Sequence, residues 1–182
     1  MLQFRNLTKD EIEVRVQRVT GTGVQLLLYK DARVDMNILD ETVGPENWQS
    51  RFYENKGILF CSVGVNTNYK SPELPDRWVW KDDAGTESNQ DAEKGNASDA
   101  RKRAGFAWSI GRELYTSPFL WVPGEWCNIK KTERGGFVCY DRFEVEKIII
   151  TEDKRIDALC IKNTSLVNKT EAEKRVIVWQ RK

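Results

Sequence analysis

The cationic residues of one short segment form the strongest candidate for a functional site: Arg101, Lys102, Arg103 and Arg112. Residues 99 to 112 carry these four positive charges and the one negative charge of Asp99, so their net charge is +3. Arginine and lysine bind phosphate oxygens by charge and by N–H donation, and such contacts hold a polyanion without reading its sequence. The segment therefore indicates a binding site for an anionic chain.

Small residues recur at helical spacing through the same segment: Ala100, Ala104, Ala107 and Gly111. At about 100° per residue they fall within about 60° of one another. The same spacing puts Arg101 and Arg112 about 20° apart on a neighbouring face. We therefore predict a helix over residues 99–115 whose small face packs closely on a sheet while cations line its side. A surface helix with solvated cations is the alternative.

Composition excludes several classes of site. The chain has 182 residues, a net charge of +1 and no histidine, so it cannot form a Ser-His-Asp triad, a Cys-His pair or a His-ligated metal site. Its four cysteines are Cys61, Cys127, Cys139 and Cys160. They lack the C-x-x-C spacing that is typical of zinc sites, and we expect no cofactor. The nearly balanced charge means that an anion site must be a local patch.

The sequence contains no signal for membrane insertion or export. No apolar run approaches the length of a membrane span, and the first eight residues lack the apolar core of a signal peptide. We therefore expect a cytoplasmic protein with free thiols and no membrane partner.

Local patterns predict the elements that position the cationic segment. Thr8 and Glu11 fit a capping box and favour a helix from about residue 9 to 19, although the alternation of Ile12, Val14 and Val16 would favour a strand. A short apolar strand over 24–29 and a helix over 31–43 follow, and Gly44-Pro45 ends that helix.

A three-stranded meander is predicted next, over residues 48–53, 57–65 and 78–81. A polar loop over 81–98 leads to the cationic helix, and the last third of the chain reads as strands, with a hairpin at Gly135-Gly136. We predict an α+β fold in which the helix packs on an antiparallel meander (a β-β-β-α core), with helices before it and a β-rich extension after it. The core spans 1–122 and the extension of the same domain spans 123–182.

An acidic segment directly precedes the cationic helix. Residues 82–95 contain five acids (Asp82, Asp83, Glu87, Asp91 and Glu93) against Lys94, a net charge of −4. The segment is either a solvated linker or a competitor that occupies the cationic helix in place of an anionic ligand.

These motifs, in this order and spacing, resemble the Rad-fifty-two-type single-strand annealing proteins, most closely the branch carried by bacteriophages and prophages. The resemblance is carried by residues 31–48, the meander, the acidic loop and residues 98–115, and it covers roughly residues 7 to 122. It implies a conserved β-β-β-α core whose protomers assemble into rings or curved filaments. It also implies that single-stranded DNA lies in an outer positive groove with its bases exposed for pairing, and that no nucleotide is hydrolysed.

The resemblance places DNA contacts on particular residues. Lys102 and Arg103 match the family's basic pair on the helix that lines the groove, and Arg33 matches the arginine before the second helix. Lys30, Arg101 and Arg112 are added because of their charge and position. The expected partners are single-stranded DNA, further copies of the chain, and a phage exonuclease or the host's single-strand-binding protein. Residues after about 123 have no counterpart in the family.

Two other functions fit parts of the sequence. A protein that only coats single-stranded DNA would carry similar cations, and stacking of bases on tryptophan would suit it; we expect Trp78 and Trp80, which share one face of a strand, in the core or an interface instead. A magnesium-dependent nuclease would use paired acids, for which Asp76 and Glu152 followed by Lys154 are weak candidates.

Overall fold

The structure is a computed structural model that describes residues 2–85 and 92–181, without the side chains of 92–94. It is a mixed α+β fold of mainly antiparallel strands, and two α-helices lie within the described residues. In chain order the elements are β1 (Glu13–Val19), β2 (Gly23–Tyr29), α1 (Ala32–Val43), β3 (Trp48–Asn55), β4 (Ile58–Asn66), β5 (Trp78–Ala84), α2 (Ala92–Ala107), β6 (Leu120–Pro123), β7 (Ile129–Lys131), β8 (Phe137–Cys139), β9 (Phe143–Ile150), β10 (Ile156–Asn163) and β11 (Arg175–Gln180).

The chain forms two compact units. The first unit takes the residues up to Arg5 together with Asp31–Gly111, and the second takes Asn6–Lys30 together with the residues from Arg112 onward. The boundaries therefore follow residues 5, 30 and 111, whereas the sequence led us to expect a single division after residue 122. No helix within the described residues is long and apolar enough to cross a membrane.

In the first unit, β3, β4 and β5 form an antiparallel sheet in that order. Helix α2 packs on β4 and β5, and α1 packs on α2. The predicted small face of α2 is confirmed where the helix meets the sheet, because Ala100 and Ala104 are fully buried, as are Cys61 and Val65 of β4. Small side chains let the helix backbone come close to the sheet, and the indole of Trp108 donates to the Val63 carbonyl at 2.9 Å.

Helix α2 begins and ends earlier than predicted. Ser109 adopts a positive φ of 67°, and the amides of Ser109 and Ile110 donate to the carbonyls of Phe106 and Gly105 at 2.9 and 3.0 Å. This pair of bonds is a Schellman motif, which ends an α-helix. The helix therefore stops at Ala107, and Gly111 does not belong to its small face.

Helix α1 agrees with its prediction. The Asp31 carboxylate caps its first turn by accepting from the Arg33 amide at 2.7 Å, and Gly44 ends it at a φ of 85°. Its buried side includes Asp35, Ile38 and Leu39. A Cβ on Gly105 of α2 would lie only 2.8 Å from Asp35 Oδ2, so the glycine is what allows the two helices this close approach.

The second unit contains a six-stranded sheet in the order β11-β10-β9-β1-β2-β6, and a separate hairpin of β7 and β8. The expected hairpin and C-terminal strands are confirmed, but the helix predicted over 9–19 is wrong. The capping box is present, with the Thr8 amide donating to Glu11 at 2.8 Å, yet it opens only a single 3-10 turn, Lys9–Glu11. Strand β1 follows because it pairs with β2 on one side and with β9 on the other.

Candidate functional site

The cations of α2, Arg101, Lys102 and Arg103, surround the helix and do not line up on one face. About 100° per residue places Arg101 and Arg103 on opposite flanks of the buried alanines and Lys102 on the side away from the sheet. All three side chains are half-buried. Near β3, the Arg101 guanidinium lies 5.3 Å from the centre of the Phe52 ring.

Arg103 is held on the β5 side of the helix by an acid. Its Nε and Nη2 both donate to Asp83 Oδ1, each at 3.2 Å. Both side chains are about one-third exposed, so the pair lies where solvent or a ligand can reach it. One acid of the acidic segment thus contacts the cationic helix. Residues 86–91 of that segment lie outside the described residues.

Arg112 is not on the cationic helix. It belongs to a 3-10 turn of the second unit, Arg112–Thr116, and it is exposed. The prediction that it shares a face with Arg101 is therefore wrong, because the helical count was carried through the Schellman motif that ends α2.

Lys30 is not a surface cation. It is 1% exposed and among the largest fully buried side chains of the described residues. The reason is the alternation of β2, in which Val24, Leu26 and Leu28 point inward and Lys30 continues the series. The expectation that Lys30 contacts DNA is corrected on this ground, and its role is structural.

Arg33 keeps the position expected of a ligand-binding cation. It is exposed on α1, on the side opposite the buried residues Ile38 and Leu39. Its backbone amide bonds to Asp31. Its side chain forms no ion pair with any residue in 2–85 or 92–181.

Two further cations of the first unit went unnoticed in the sequence. Arg51 lies on the helix-free face of the sheet with its guanidinium 4.4 Å from the centre of the Trp80 ring. Lys81 lies on the helix side, 4.5 Å from the Trp108 ring, and donates to the Ala107 carbonyl at 2.9 Å, which satisfies the end of α2. The cross-strand register of β3, β4 and β5 would have revealed Arg51, but pairing partners are not visible in a single sequence.

Aromatic side chains cover the helix-free face of the three-stranded sheet. The Trp80 ring packs on Gly64, where a Cβ would come within 2.6 Å of the ring, and the Arg51 guanidinium also contacts it. Trp78 stacks beside Trp80 with ring centres 6.2 Å apart, and Tyr53 stacks on Phe60 at 5.4 Å. The rings are therefore engaged mainly with one another and with Arg51.

Asp82 belongs to the same face. Its carboxylate accepts from the Tyr53 hydroxyl at 3.0 Å and from the Ser62 hydroxyl. The hydrogen bond to Asp82 raises the pKa of Tyr53, with burial a smaller cause. Asp82 and Asp83 are neighbours in sequence but point to opposite faces of the sheet, so only Asp83 contacts the α2 cations.

Two of the three residues suggested for a nuclease, Lys154 and Asp76, have structural contacts of their own, and the third, Glu152, is exposed. In the second unit, the Lys154 ammonium lies 3.8 Å from the fully buried Glu113 and 3.2 Å from Asn6 Oδ1. In the first unit, Asp76 accepts from the Asn66 amide at 2.8 Å. These contacts favour structural roles for Lys154 and Asp76.

Comparison of the chain with protein-family models, curated proteins and solved structures found no match.

Proposed function

We propose that the chain is an ATP-independent single-strand DNA annealing protein of phage homologous recombination, which works as a homo-oligomeric ring or filament. The observation that carries the proposal is a helix with three consecutive cations, Arg101, Lys102 and Arg103, packed on an antiparallel three-stranded sheet that precedes it in the chain. The sequence resemblance implies a β-β-β-α core, and this packing of helix on sheet supports it.

Annealing requires a scaffold and no catalytic group. Two complementary strands pair faster when their phosphate charge is neutralised and their base edges stay free. Lys102 points away from the sheet and Arg33 is exposed on α1, so both can hold phosphates without touching bases. We assign the phosphate contacts to Arg33, Arg101, Lys102 and Arg103, and expect binding that is indifferent to base sequence.

The helix-free face of the sheet supports annealing over tight base stacking. The Trp80 ring already contacts Gly64 and Arg51. A base that stacked on Trp80 would compete with these contacts, and stacked bases would be withheld from pairing.

The test is annealing of two complementary fluorescent oligonucleotides in the absence of ATP and metal. Wild type is expected to accelerate pairing, and the double variant Lys102→Ala/Arg103→Ala to lose that acceleration. The matched control is Lys130→Ala/Lys131→Ala, which removes the same charge from two exposed lysines of β7. Light scattering on the same samples is expected to report an assembly larger than a monomer.

Each outcome is informative. Equal acceleration by wild type and by Lys102→Ala/Arg103→Ala would support the annealing function but contradict the assignment of the site to these two residues. Equal loss in both double variants would mean that only net charge matters, and would also contradict that assignment.

Coating of single-stranded DNA without annealing is the second candidate. The partly exposed rings of Tyr53 and Trp78 on the helix-free face favour it, because aromatic platforms bind bases of any sequence. A coating protein retards the pairing of complementary strands, so binding combined with slower annealing by wild type would replace the first proposal by this one.

A further inference from the structure

The open end of the β7–β8 hairpin in the second unit brings together two cysteines that are distant in sequence. Cys127 directly follows the 3-10 turn Gly124–Trp126, and Cys139 is the last residue of β8. Asp141 lies two residues further on. The two Sγ atoms and one carboxylate oxygen all lie within 4.8 Å of one another, and all three side chains are half-buried.

The carboxylate of this cluster accepts three hydrogen bonds from asparagines and one from the Cys139 thiol. Asp141 Oδ2 accepts from the Asn128 amide and from Asn163 Nδ2, and Oδ1 accepts from Asn128 Nδ2, each at 2.8 Å. Asn163 is itself fully buried and also donates to the Trp126 carbonyl at 2.9 Å. The acceptor position that the Cys139 thiol now occupies becomes available to a metal ion when that thiol loses its proton.

The donor set matches one class of metal ion. Thiolate sulfur prefers zinc and other thiophilic ions over magnesium or calcium, and a single carboxylate is a common additional ligand. Zinc holds sulfur at ~2.3 Å and oxygen at ~2.1 Å, which puts tetrahedral ligands ~3.6–3.8 Å apart. The present donors, all within 4.8 Å of one another, reach that spacing by closing at most about 1 Å.

We propose that Cys127, Cys139 and Asp141 form a structural zinc site, with water as the fourth ligand and Asn128 and Asn163 orienting the carboxylate. Binding forms two Zn–S bonds and one Zn–O bond and releases the two thiol protons to solvent, and no group changes its oxidation state. The ion would tie the turn before β7 to the residue after β8, and through Asn163 to the end of β10. The site is independent of the function proposed above.

The test uses the full chain, reduced and freed of metal, titrated with Co²⁺ as a spectroscopic substitute for Zn²⁺. Wild type is expected to develop a thiolate-to-cobalt charge-transfer band that saturates at one equivalent and disappears when Zn²⁺ is added. The band should fall to about half in Cys127→Ser and in Cys139→Ser, and vanish in the double variant, because its intensity follows the number of bound thiolates.

Cys160→Ser is the matched control, since it removes another half-buried thiol of the same unit and should leave the band unchanged. Zn²⁺ should raise the melting temperature of wild type but not that of the double variant, whose fold is checked by its own unfolding transition. A reduced wild type with four titratable thiols and no band would overturn the proposal. A thiol count lower by two, with no metal bound, would also overturn it and would identify a Cys127–Cys139 disulfide instead.

Discussion

Arg103 and Asp83 form an ion pair in which both guanidinium donors meet the same carboxylate oxygen at 3.2 Å. The pair connects the proposed DNA-binding helix to the strand before it. A phosphate that binds Arg103 must therefore share it with Asp83 or displace the carboxylate.

Removing that acid should strengthen DNA binding. An exposed ion pair is worth about 0.2–1 kcal/mol, so Asp83→Asn is expected to raise the affinity for single-stranded DNA about 1.5- to 5-fold. If Arg103 gains a phosphate contact, the slope of log K against log salt steepens by about 0.7. Fluorescence anisotropy of a labelled oligonucleotide at several salt concentrations measures both quantities.

Asp82→Asn is the control for Asp83→Asn. It removes the same charge from the adjacent residue, whose carboxylate bonds Tyr53 and Ser62 on the other face of the sheet. An equal gain in both variants would show a general charge effect, and the Asp83–Arg103 contact would then have no special part in DNA binding.

We expect the buried Lys30 to contribute to stability and the exposed Arg33 to contribute to DNA binding. Lys30→Ala should lower the free energy of unfolding by about 2–5 kcal/mol, because it truncates a buried side chain and leaves its polar surroundings unsatisfied. Arg33→Ala should change stability by less than about 0.5 kcal/mol and weaken DNA binding, with a loss of about 0.7 from the salt slope. Urea unfolding and anisotropy on the two variants test this contrast. A drop in DNA affinity for a stably folded Lys30→Ala protein would contradict the assignment.

Gly105 should resist substitution although it lies inside a helix. Alanine normally stabilises a helix by about 1 kcal/mol relative to glycine, but here its Cβ would meet Asp35 Oδ2 at 2.8 Å. We expect Gly105→Ala to destabilise the protein by about 1–3 kcal/mol, as overpacking does. A double-mutant cycle with Asp35→Ala isolates the contact, since the cost of the added methyl group should largely disappear without the carboxylate. Additive effects in that cycle would show that the clash is not the cause.

Ion pairs of Glu146 and Glu171 on the surface of the second unit should make the free energy of unfolding depend on pH. Hydrogen bonds from Arg175 and then Lys162 hold the pKa of Glu146 far below its ordinary value of 4.5, and Lys162 and Lys174 lower the pKa of Glu171 to about 2. A lowered carboxyl pKa contributes stability above the unfolded pKa, and that contribution is lost as the pH falls from about 4.5 toward the folded value.

Glu146→Gln should therefore melt at a lower temperature than wild type at pH 7, and the difference should shrink as the pH falls below about 4.5. Thermal unfolding followed by circular dichroism across this range measures it. Glu144→Gln on the same strand is the control, because the exposed Glu144 side chain forms no ion pair within the described residues. A pH-independent difference between wild type and Glu146→Gln would exclude the ion-pair explanation.

Local sequence signals predicted the parts of the fold that depend on neighbours in the chain. The capping aspartate and the glycine after Val43 set the limits of α1, and turn residues separated the strands of the meander. β1 was missed because the capping box was given more weight than the alternation of Ile12, Val14 and Val16, which correctly indicated a strand. Its pairing with β9, about 130 residues later, leaves no local signal.

The site was predictable to a similar degree. The three adjacent cations of α2 are visible in any reading of the sequence, but Arg51 reaches Trp80 only through sheet register. Lys30 was predicted to contact DNA because of its charge, whereas the inward alternation of the strand before it predicts a buried side chain. Cys127 and Cys139 were dismissed on spacing, whereas the hairpin between them brings the two thiols together.

Most of the first unit, Asp31–Gly111, is inserted between two strands that belong to the second, since the chain leaves the second unit after Lys30 and returns to it at Arg112. During synthesis β1 and β2 emerge first, but β9, which covers the free side of β1, begins only at Phe143. At about 5–20 residues per second this delay lasts roughly 6 to 23 s. Over that interval the inserted unit can fold on the ribosome while the β1 edge is still open to pairing with another nascent chain.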